Sequence, residues 1–556
     1  MYASPSVSAL RTYRDARDLF LGLLLLGLCL EGLYLALFPL LAGHDPEHDP
    51  LFLAWHTFLP WLPLPYWTGW LHLPWFDPHT LAGNARLLLA ILVLALFGVL
   101  LAAQIGRVRR NISPRSQRTC AWLILSFAAC FALTILISPP HLDIFSRDMV
   151  LSWLAGRMVV IYHVNPYIMT PAAYPQDVAT RLLVHFPPDT ISLSSSPVGT
   201  TGPVGIDIGV LVSLLGRDQI AHTLLSFRIV GLLLHLGNAL FIWLILRRNK
   251  PEQSISALVL YAWNPLFLLL GVAQIHQELA TIFFVLLAIY FLQRDASVLS
   301  WFFLLLALLI NTLCLLVLPL FLCMIMRKTR FLVLGEQFFL WLALLVLPPI
   351  VFGLAYLPYW DGWAWNGLIS NMALTFFPPH PLNSLDAMLL KLPLPQAILK
   401  LFNPVYWCSV LLGFLGLFLL FSFWLADTID LLLVCASWVL LIFLTFQPLY
   451  WPWYVLLPLA LILCSAHGKT LLLGIFLLIG ALVNYYCWSS GLHWDGQAIL
   501  VLGSPCLLWG WCMFFISTWK MTQRREELAM AQESGVQRPR SPWLSRPSWP
   551  SRPGKL

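Results

Sequence analysis

Residues 121–167 read AWLILSFAACFALTILISPPHLDIFSRDMVLSWLAGRMVVIYHVNPY. The first part, 121–137, carries no charge, and as a helix rising about 1.5 Å per residue it nearly matches a hydrocarbon core roughly 30 Å thick. Beyond Pro139-Pro140 the chain turns polar and presents two carboxylates, Asp143 and Asp148. An uncharged span that empties into an acid-bearing loop is the pattern of an integral membrane protein with its chemistry at one face. Composition extends that reading to the whole chain. Of 556 residues 60% are hydrophobic and only 10% charged, with a mean hydropathy of +0.80, more apolar surface than a water-soluble fold can hide. A soluble enzyme, a disordered scaffold and a nucleic-acid reader are excluded. The net charge of +7 comes from Lys and Arg dispersed in short loops, which report topology. No Cys-x-x-Cys pair occurs, so neither a disulfide framework nor a zinc site is indicated.

Working outward from 121–137, apolar runs bounded by charge or by Pro and Gly mark about fourteen spans: 19–42, 87–105, 121–137, 224–246, 255–272, 279–292, 298–310, 311–326, 331–357, 404–425, 430–446, 451–466, 470–487 and 499–519. The fold class is therefore an all-α integral membrane bundle. Arg11, Arg14 and Arg17 precede the first span, which is too long for a signal-peptide core and reads as a retained helix. Basic clusters at Arg107–Arg118, Arg247–Lys250, Arg294, Arg327–Arg330 and after Lys520 then all fall on the cytoplasmic side with both termini, while most histidines fall outside. The ten residues Ile206–Leu215 are too few to cross, and counting them would invert every later loop; they read as a re-entrant or interfacial helix. Asn311-Thr312 is the turn of a short hairpin. The organisation expected is a membrane domain over 1–519 and a basic, Pro- and Ser-rich cytoplasmic tail over 520–556, drawn to anionic membrane lipids. No internal repeat is visible.

In the loop after 121–137, Met149, Leu151, Trp153, Leu154 and Met158 mark an amphipathic helix lying at the interface. An acid at that level can act as general base on a sugar hydroxyl; the plainer reading makes Ser146 or Asp148 a helix cap. The run FSRDMVLSWLAGRMVVIYHVNPY resembles the first extracytoplasmic loop of the bacterial polyprenyl-phosphate-mannose-dependent mannosyltransferases, membrane enzymes of the GT-C fold. Trp263-Asn264-Pro265 with Gly271 and His276-Gln277-Glu278, then Tyr356-Leu-Pro-Tyr359-Trp360-Asp361-Gly362, then Pro452-Trp453-Tyr454, are similar in order to further motifs of that family, so the likeness covers roughly 120–460. It implies a GT-C bundle with interfacial helices in its large outer loop and transfer of a hexose, mannose first, from a polyprenyl-phosphate donor to an extracytoplasmic glycan or lipid acceptor. By the same match Asp148 takes the catalytic-base position with Asp143 in reserve, and Arg157, Asn165, Tyr167, Trp453 and Tyr454 stand among the substrate-binding positions. The chain departs from the family where Thr201-Gly202-Pro203 replaces Tyr-Gly-Pro and where Val150 and Ser152 replace aromatics.

Other residues admit two readings each. His276 and Glu278 can position the donor phosphate or hold a divalent cation, or Glu278 can cap a helix. Arg228, a turn inside its span, either grips a lipid-linked phosphate or snorkels to the interface. Glu31 reads as paired with another buried polar group. Trp55, Trp61, Trp67, Trp70 and Trp75 read as an interfacial belt rather than a sugar-stacking surface, and His44, Asp45, Glu47, His48 and Asp49 as a solvated loop rather than a cation site. The rival functions are a lipid or glycan flippase and a non-catalytic partner in a cell-envelope complex.

Overall fold

The computed structural model describes residues 7–60, 75, 77–109, 112–142, 147–185, 201–329, 333–360, 382–393, 395–396, 400, 404–425, 428–465, 468–489 and 497–533. The chain forms two units, Met1–Cys506 and Leu507–Leu556. Among the described residues there is no strand, only an isolated bridge between Leu382 and Leu449. The helices that matter here are α1 (Val7–Ala36), α2 (Pro50–Phe58), α3 (Leu81–Val108), α4 (Pro114–Ile137), α5 (Arg147–Val160), α6 (Val178–Val184), α7 (Pro203–Gly216), α8 (Ile220–Asn249), α9 (Pro251–Ala262), α10 (Glu278–Gln293), α11 (Ser297–Leu308), α12 (Leu318–Thr329), α13 (Leu334–Tyr356), α14 (Pro404–Leu425), α15 (Ile429–Phe446), α16 (Leu456–Ser465), α17 (Gly468–Ser489) and α18 (Ser504–Glu533).

Each of the fourteen apolar runs coincides with helix over most of its described length. Among the described residues eight helical segments are long and apolar enough to cross a membrane, and α9 with the π-helical stretch Phe267–Ala273 makes a ninth if that bent pair is one span. The other runs lie on shorter stretches such as α10, α11 and α16. Side-chain exposure fits the lipid setting. On α1, Leu21, Leu25, Leu28 and Leu35 face outward while Leu19, Leu23, Leu30 and Tyr34 are buried, the helical spacing of a helix with one lipid face and one protein face. Glu31 accepts a hydrogen bond from Thr134 of α4, and Tyr34 donates to the Trp263 carbonyl at 2.6 Å. Helix α18 continues past Lys520 to Glu533, and residues 534–556 of the expected tail lie outside the described residues.

Short helices α2, α5, α6 and α7 pack with the first turns of α8 around a shared apolar cluster that includes Leu51, Trp55, Met149, Trp153, Leu154, Leu182, Ile206 and Phe227. Helix α5 differs from the amphipathic helix expected at the interface. From Arg147 to Met158 only Asp148 and Ser152 escape burial, because α7 covers the face that hydropathy left for lipid. Trp55, expected in an interfacial belt, is likewise buried in this cluster; Trp61, Trp67 and Trp70 lie outside the described residues. The α5–α7 crossing is backbone against backbone. A Cβ on Gly156 would stand 2.1 Å from the Gly209 carbonyl oxygen, and one on Gly209 2.2 Å from that of Ser152, so neither position has room for a side chain. Gly209→Val is expected to cost at least the ~1–3 kcal/mol of an overpacked core and to shrink the monodisperse fraction in size-exclusion chromatography; a variant that melts like the wild type would refute this packing.

Candidate active site

Asp148 enters the site from the first turn of α5, with its side chain 46% exposed. It is a helical residue and not the cap that precedes the helix. Ser146 and the reserve acid Asp143 lie outside the described residues.

The second arm of the site comes from a broken helix. Pro265 has no N–H to donate and crowds the preceding turn, so α9 ends at Ala262 and the chain resumes as the π-helical Phe267–Ala273 at a bend of 54°. Asn264 stitches the break by donating to the Leu260 carbonyl and accepting from the Leu266 N–H, both at 3.0 Å. Trp263 anchors it to α4 by donating its indole N–H to the Ile124 carbonyl at 2.9 Å. The chain leaves the π segment through Ile275 at φ +58°, a left-handed conformation that a β-branched residue adopts only at a cost on the order of 1–3 kcal/mol. That turn delivers His276.

Two contacts orient the imidazole. Gln274 donates its amide N–H to the Tyr485 hydroxyl at 3.0 Å, which leaves its carbonyl oxygen facing His276 Nε2 at 3.1 Å. By this pattern Nε2 carries the proton and Nδ1 the lone pair. The His276 ring stacks on Trp453 at a centroid distance of 4.0 Å and an angle of 18°, and Trp453 stacks on Trp451 at 5.2 Å. Burial holds the imidazole neutral, its pKa pushed down to about 3. Nδ1 stands 3.9 Å from Asp148 Oδ2, too far for a direct hydrogen bond. A neutral nitrogen and a carboxylate at this spacing are two acceptors that converge on one donor, as a sugar hydroxyl would be.

Glu278, the first residue of α10, is 1% exposed, and neither of its carboxylate oxygens meets a hydrogen-bonding partner among the described residues. Asp148 lies within electrostatic reach of it, and Tyr454, carried with Trp453 on the turn Pro452–Val455, lies within reach of both acids. Asp148, His276, Glu278, Trp453 and Tyr454 thus come together from three distant segments of sequence.

The remaining site residues expected from sequence are spent elsewhere. Arg157 is buried and saturated: it donates to both oxygens of Asp177 at 3.1 and 2.8 Å and to the Arg217 carbonyl at 2.9 Å, pairs with Asp218 at 2.8 Å, and lies over the Trp153 ring. It clamps α5 to α6 and to the α7–α8 turn. Asn165 donates to the Tyr359 carbonyl at 2.7 Å and accepts from the Tyr167 N–H at 2.9 Å, while the Tyr167 hydroxyl donates to the Thr201 carbonyl at 2.9 Å. These two shape the loop. Arg228 is wholly buried; it donates to the carbonyls of Leu136, Ser138 and Ala273 and lies over the Trp55 ring. Sequence reasoning missed Gln274 and Tyr485, which set the His276 tautomer, and Asp207, which accepts from the Tyr359 hydroxyl at 2.7 Å. Partial burial pushes the Asp207 carboxyl above the usual carboxylate range. The one signal for it was an acid inside an otherwise apolar segment.

Among the described residues no three His, Cys, Asp or Glu side chains converge as a metal site. In the 44–49 segment Asp45 pairs with His48, and Asp49 instead caps α2 through the N–H groups of Leu51 and Phe52 and accepts from Leu142 at 2.7 Å.

No curated protein matches the chain. Residues 63–327 match the family described as alpha-(1->6)-mannopyranosyltransferase, N-terminal domain; the matched segment contains Asp148, His276 and Glu278 together with the helices α3 to α11 that position them. This match over residues 63–327 supports a glycosyltransferase of the GT-C mannosyltransferase type.

Proposed function

We propose that the chain transfers mannose from a polyprenyl-phosphate donor to a glycan or lipid acceptor on the outer side of the membrane, with Asp148 as general base. The observation that supports this most is the meeting of the half-exposed Asp148 with the buried His276 and Glu278 at the ends of membrane helices. The acceptor hydroxyl, held between Asp148 and His276 Nδ1, attacks the anomeric carbon. The bond from that carbon to the phosphate oxygen breaks, its electron pair leaves with the polyprenyl phosphate, and the hydroxyl proton passes to Asp148. Glu278 supports the reaction only as a neutral acid or against a cation, because an unpaired carboxylate at that depth is costly. Arg157, Asn165, Tyr167 and Arg228 act as positioning residues, and Trp453 orients the imidazole. A soluble nucleotide-sugar donor is disfavoured because basic loops lie at the opposite ends of the spans that carry these groups. Residues 1–519 would then form the membrane domain and 520–556 a cytoplasmic tail.

Incubating the purified full chain with labelled polyprenyl-phosphate-mannose and a panel of lipid and glycan acceptors tests the reading. Product from the wild type and none from Asp148→Ala is expected; equal product from both would end it. The topology is tested separately in a Cys-free background. A Cys at Ala172, exposed in the outer segment, is expected to react with an impermeant maleimide in intact cells, and a Cys at the exposed Arg248 only after permeabilisation. The reverse pattern would place the site on the cytoplasmic side.

A further inference from the structure

Away from the two acids, the same unit holds a second set of buried polar ends that the proposed chemistry does not use. Gln447, Tyr450, Asn484 and Gln497 are each at most 2% exposed. The amide nitrogen of Gln447, the Tyr450 hydroxyl, and both amide atoms of Asn484 and of Gln497 have no hydrogen-bonding partner among the described residues. Orphaned polar atoms at this depth are costly, so six of them on three neighbouring segments call for a reason.

The fold brings them together. Residue 382 runs beside 448–450, with the Leu382 N–H donating to the Pro448 carbonyl at 2.8 Å and the Tyr450 N–H to the Leu382 carbonyl at 3.1 Å. Asn383, at φ +54°, donates its amide to the Tyr450 carbonyl at 3.4 Å and accepts from the Ala498 N–H at 3.1 Å. This strap ties Gln447 and Tyr450 to Gln497. Gly480 of α17 rests on Val501, where an added Cβ would stand 2.8 Å from the Val501 carbonyl oxygen. Asn484 is one turn after Gly480 and Gln497 about one turn before Val501, so each amide stands about one turn from that contact. The next residue, Tyr485, receives the Gln274 amide that orients His276, and the Tyr450 ring meets that of Tyr454 edge to face at 6.4 Å. The cluster therefore borders the candidate active site.

We infer that Gln447, Tyr450, Asn484 and Gln497 form the site that recognises the hydroxyl groups of the transferred hexose. Three carboxamides and a phenol supply both donors and acceptors and no formal charge, which suits a neutral polyhydroxylated ring and not a phosphate. The assignment deepens the reading of the chain as a hexosyltransferase and rests on it.

The test uses the full chain in detergent with the variants Asn484→Leu, Gln497→Met and Tyr450→Phe. Removing orphaned polar ends for apolar groups of similar size leaves the unliganded fold as stable as before or more so, so their melting temperatures are expected to equal or exceed that of the wild type. With methyl α-D-mannopyranoside as probe, saturation-transfer NMR is expected to show signal from the wild type and a several-fold smaller one from each variant. In the transfer assay kcat/KM is expected to fall about tenfold or more, and the preference for mannose over glucose donors to flatten, since unpaired polar groups are what make such a pocket discriminate. Variants that fold and keep both the wild-type NMR signal and the wild-type donor preference would overturn the assignment, as would an absence of saturation transfer from the wild type. A variant-sensitive NMR signal without transfer from any donor would leave the hexose site standing and sink the transferase reading instead.

Discussion

Asp148→Asn is expected to lower transfer at least about 10³-fold, near the upper end of what one general base contributes, while expression and melting temperature stay near those of the wild type. The separation follows from where the side chain sits. Asp148 is 46% exposed on the first turn of α5, and an Asn there keeps the shape and the local hydrogen-bonding capacity suited to a helix N-terminus, so the change falls within the ±0.5 kcal/mol typical of surface substitutions. What Asn removes is the negative charge and the proton-accepting lone pair. The neighbouring imidazole does not take over, because burial holds His276 neutral with its Nε2 proton committed to Gln274, which makes it a partner for a hydroxyl rather than a strong base. Asp143→Asn is expected to reduce activity only in part. Initial rates with saturating donor and acceptor decide the matter: if turnover survives Asp148→Asn and vanishes with Asp143→Asn, the roles are exchanged.

The membrane architecture was legible because hydropathy reports it directly. Each apolar run is helical over most of its described length, only eight or nine of the described segments are long enough to cross a membrane, and Ile206–Leu215, rejected as a span, lies within the short helix α7. Burial inside the outer layer was not legible. The Met149, Leu151, Trp153, Leu154 and Met158 pattern marks an apolar face but does not say whether lipid or protein covers it, and here α7 does, through a Gly-to-Gly contact invisible to periodicity. The site divides in the same way. Motif order brought Asp148, His276, Glu278, Trp453 and Tyr454 into one set, since each sits in a short run of distinctive residue types whose order along the chain matches that of the family. The same motifs also marked Arg157, Asn165 and Tyr167, whose polar atoms the fold spends on Asp177 and on backbone carbonyls. A sequence motif records what a family needs at a position and not whether the need is chemical or architectural. Asn484 and Gln497 carried no signal, because an amide inside an apolar helix looks like an isolated polar residue until its unpaired atoms can be counted.

Arg228 separates these two kinds of need, and its substitution is expected to have the largest effect on stability. A guanidinium that gripped the donor phosphate would have its donors aimed at the ligand, and Arg228→Lys would then fold normally and raise the KM for donor. The structure gives Nη1 and Nε to protein carbonyls. Nη1 serves the Leu136 carbonyl at 2.8 Å and that of Ser138, Nε serves Ala273 at 3.3 Å, and Trp55 covers the group with its ring centroid 5.0 Å away. Leu136 and Ser138 end α4, whose continuation leads to Asp148, and Ala273 ends the π segment that leads to His276. One side chain thus ties together the two loops that must meet across 3.9 Å. Arg228→Met leaves those buried carbonyls unpaired at ~1–3 kcal/mol each, a large share of the roughly 5–15 kcal/mol that holds a typical domain. Lys offers a point charge that cannot span them as the planar fork does. Both variants are therefore expected to lose most of their monodisperse protein and to melt markedly lower, and the Lys variant that remains folded is expected to lose kcat more than donor affinity. An Arg228→Lys protein with wild-type melting and kcat but a tenfold higher KM for the donor would return the guanidinium to the phosphate.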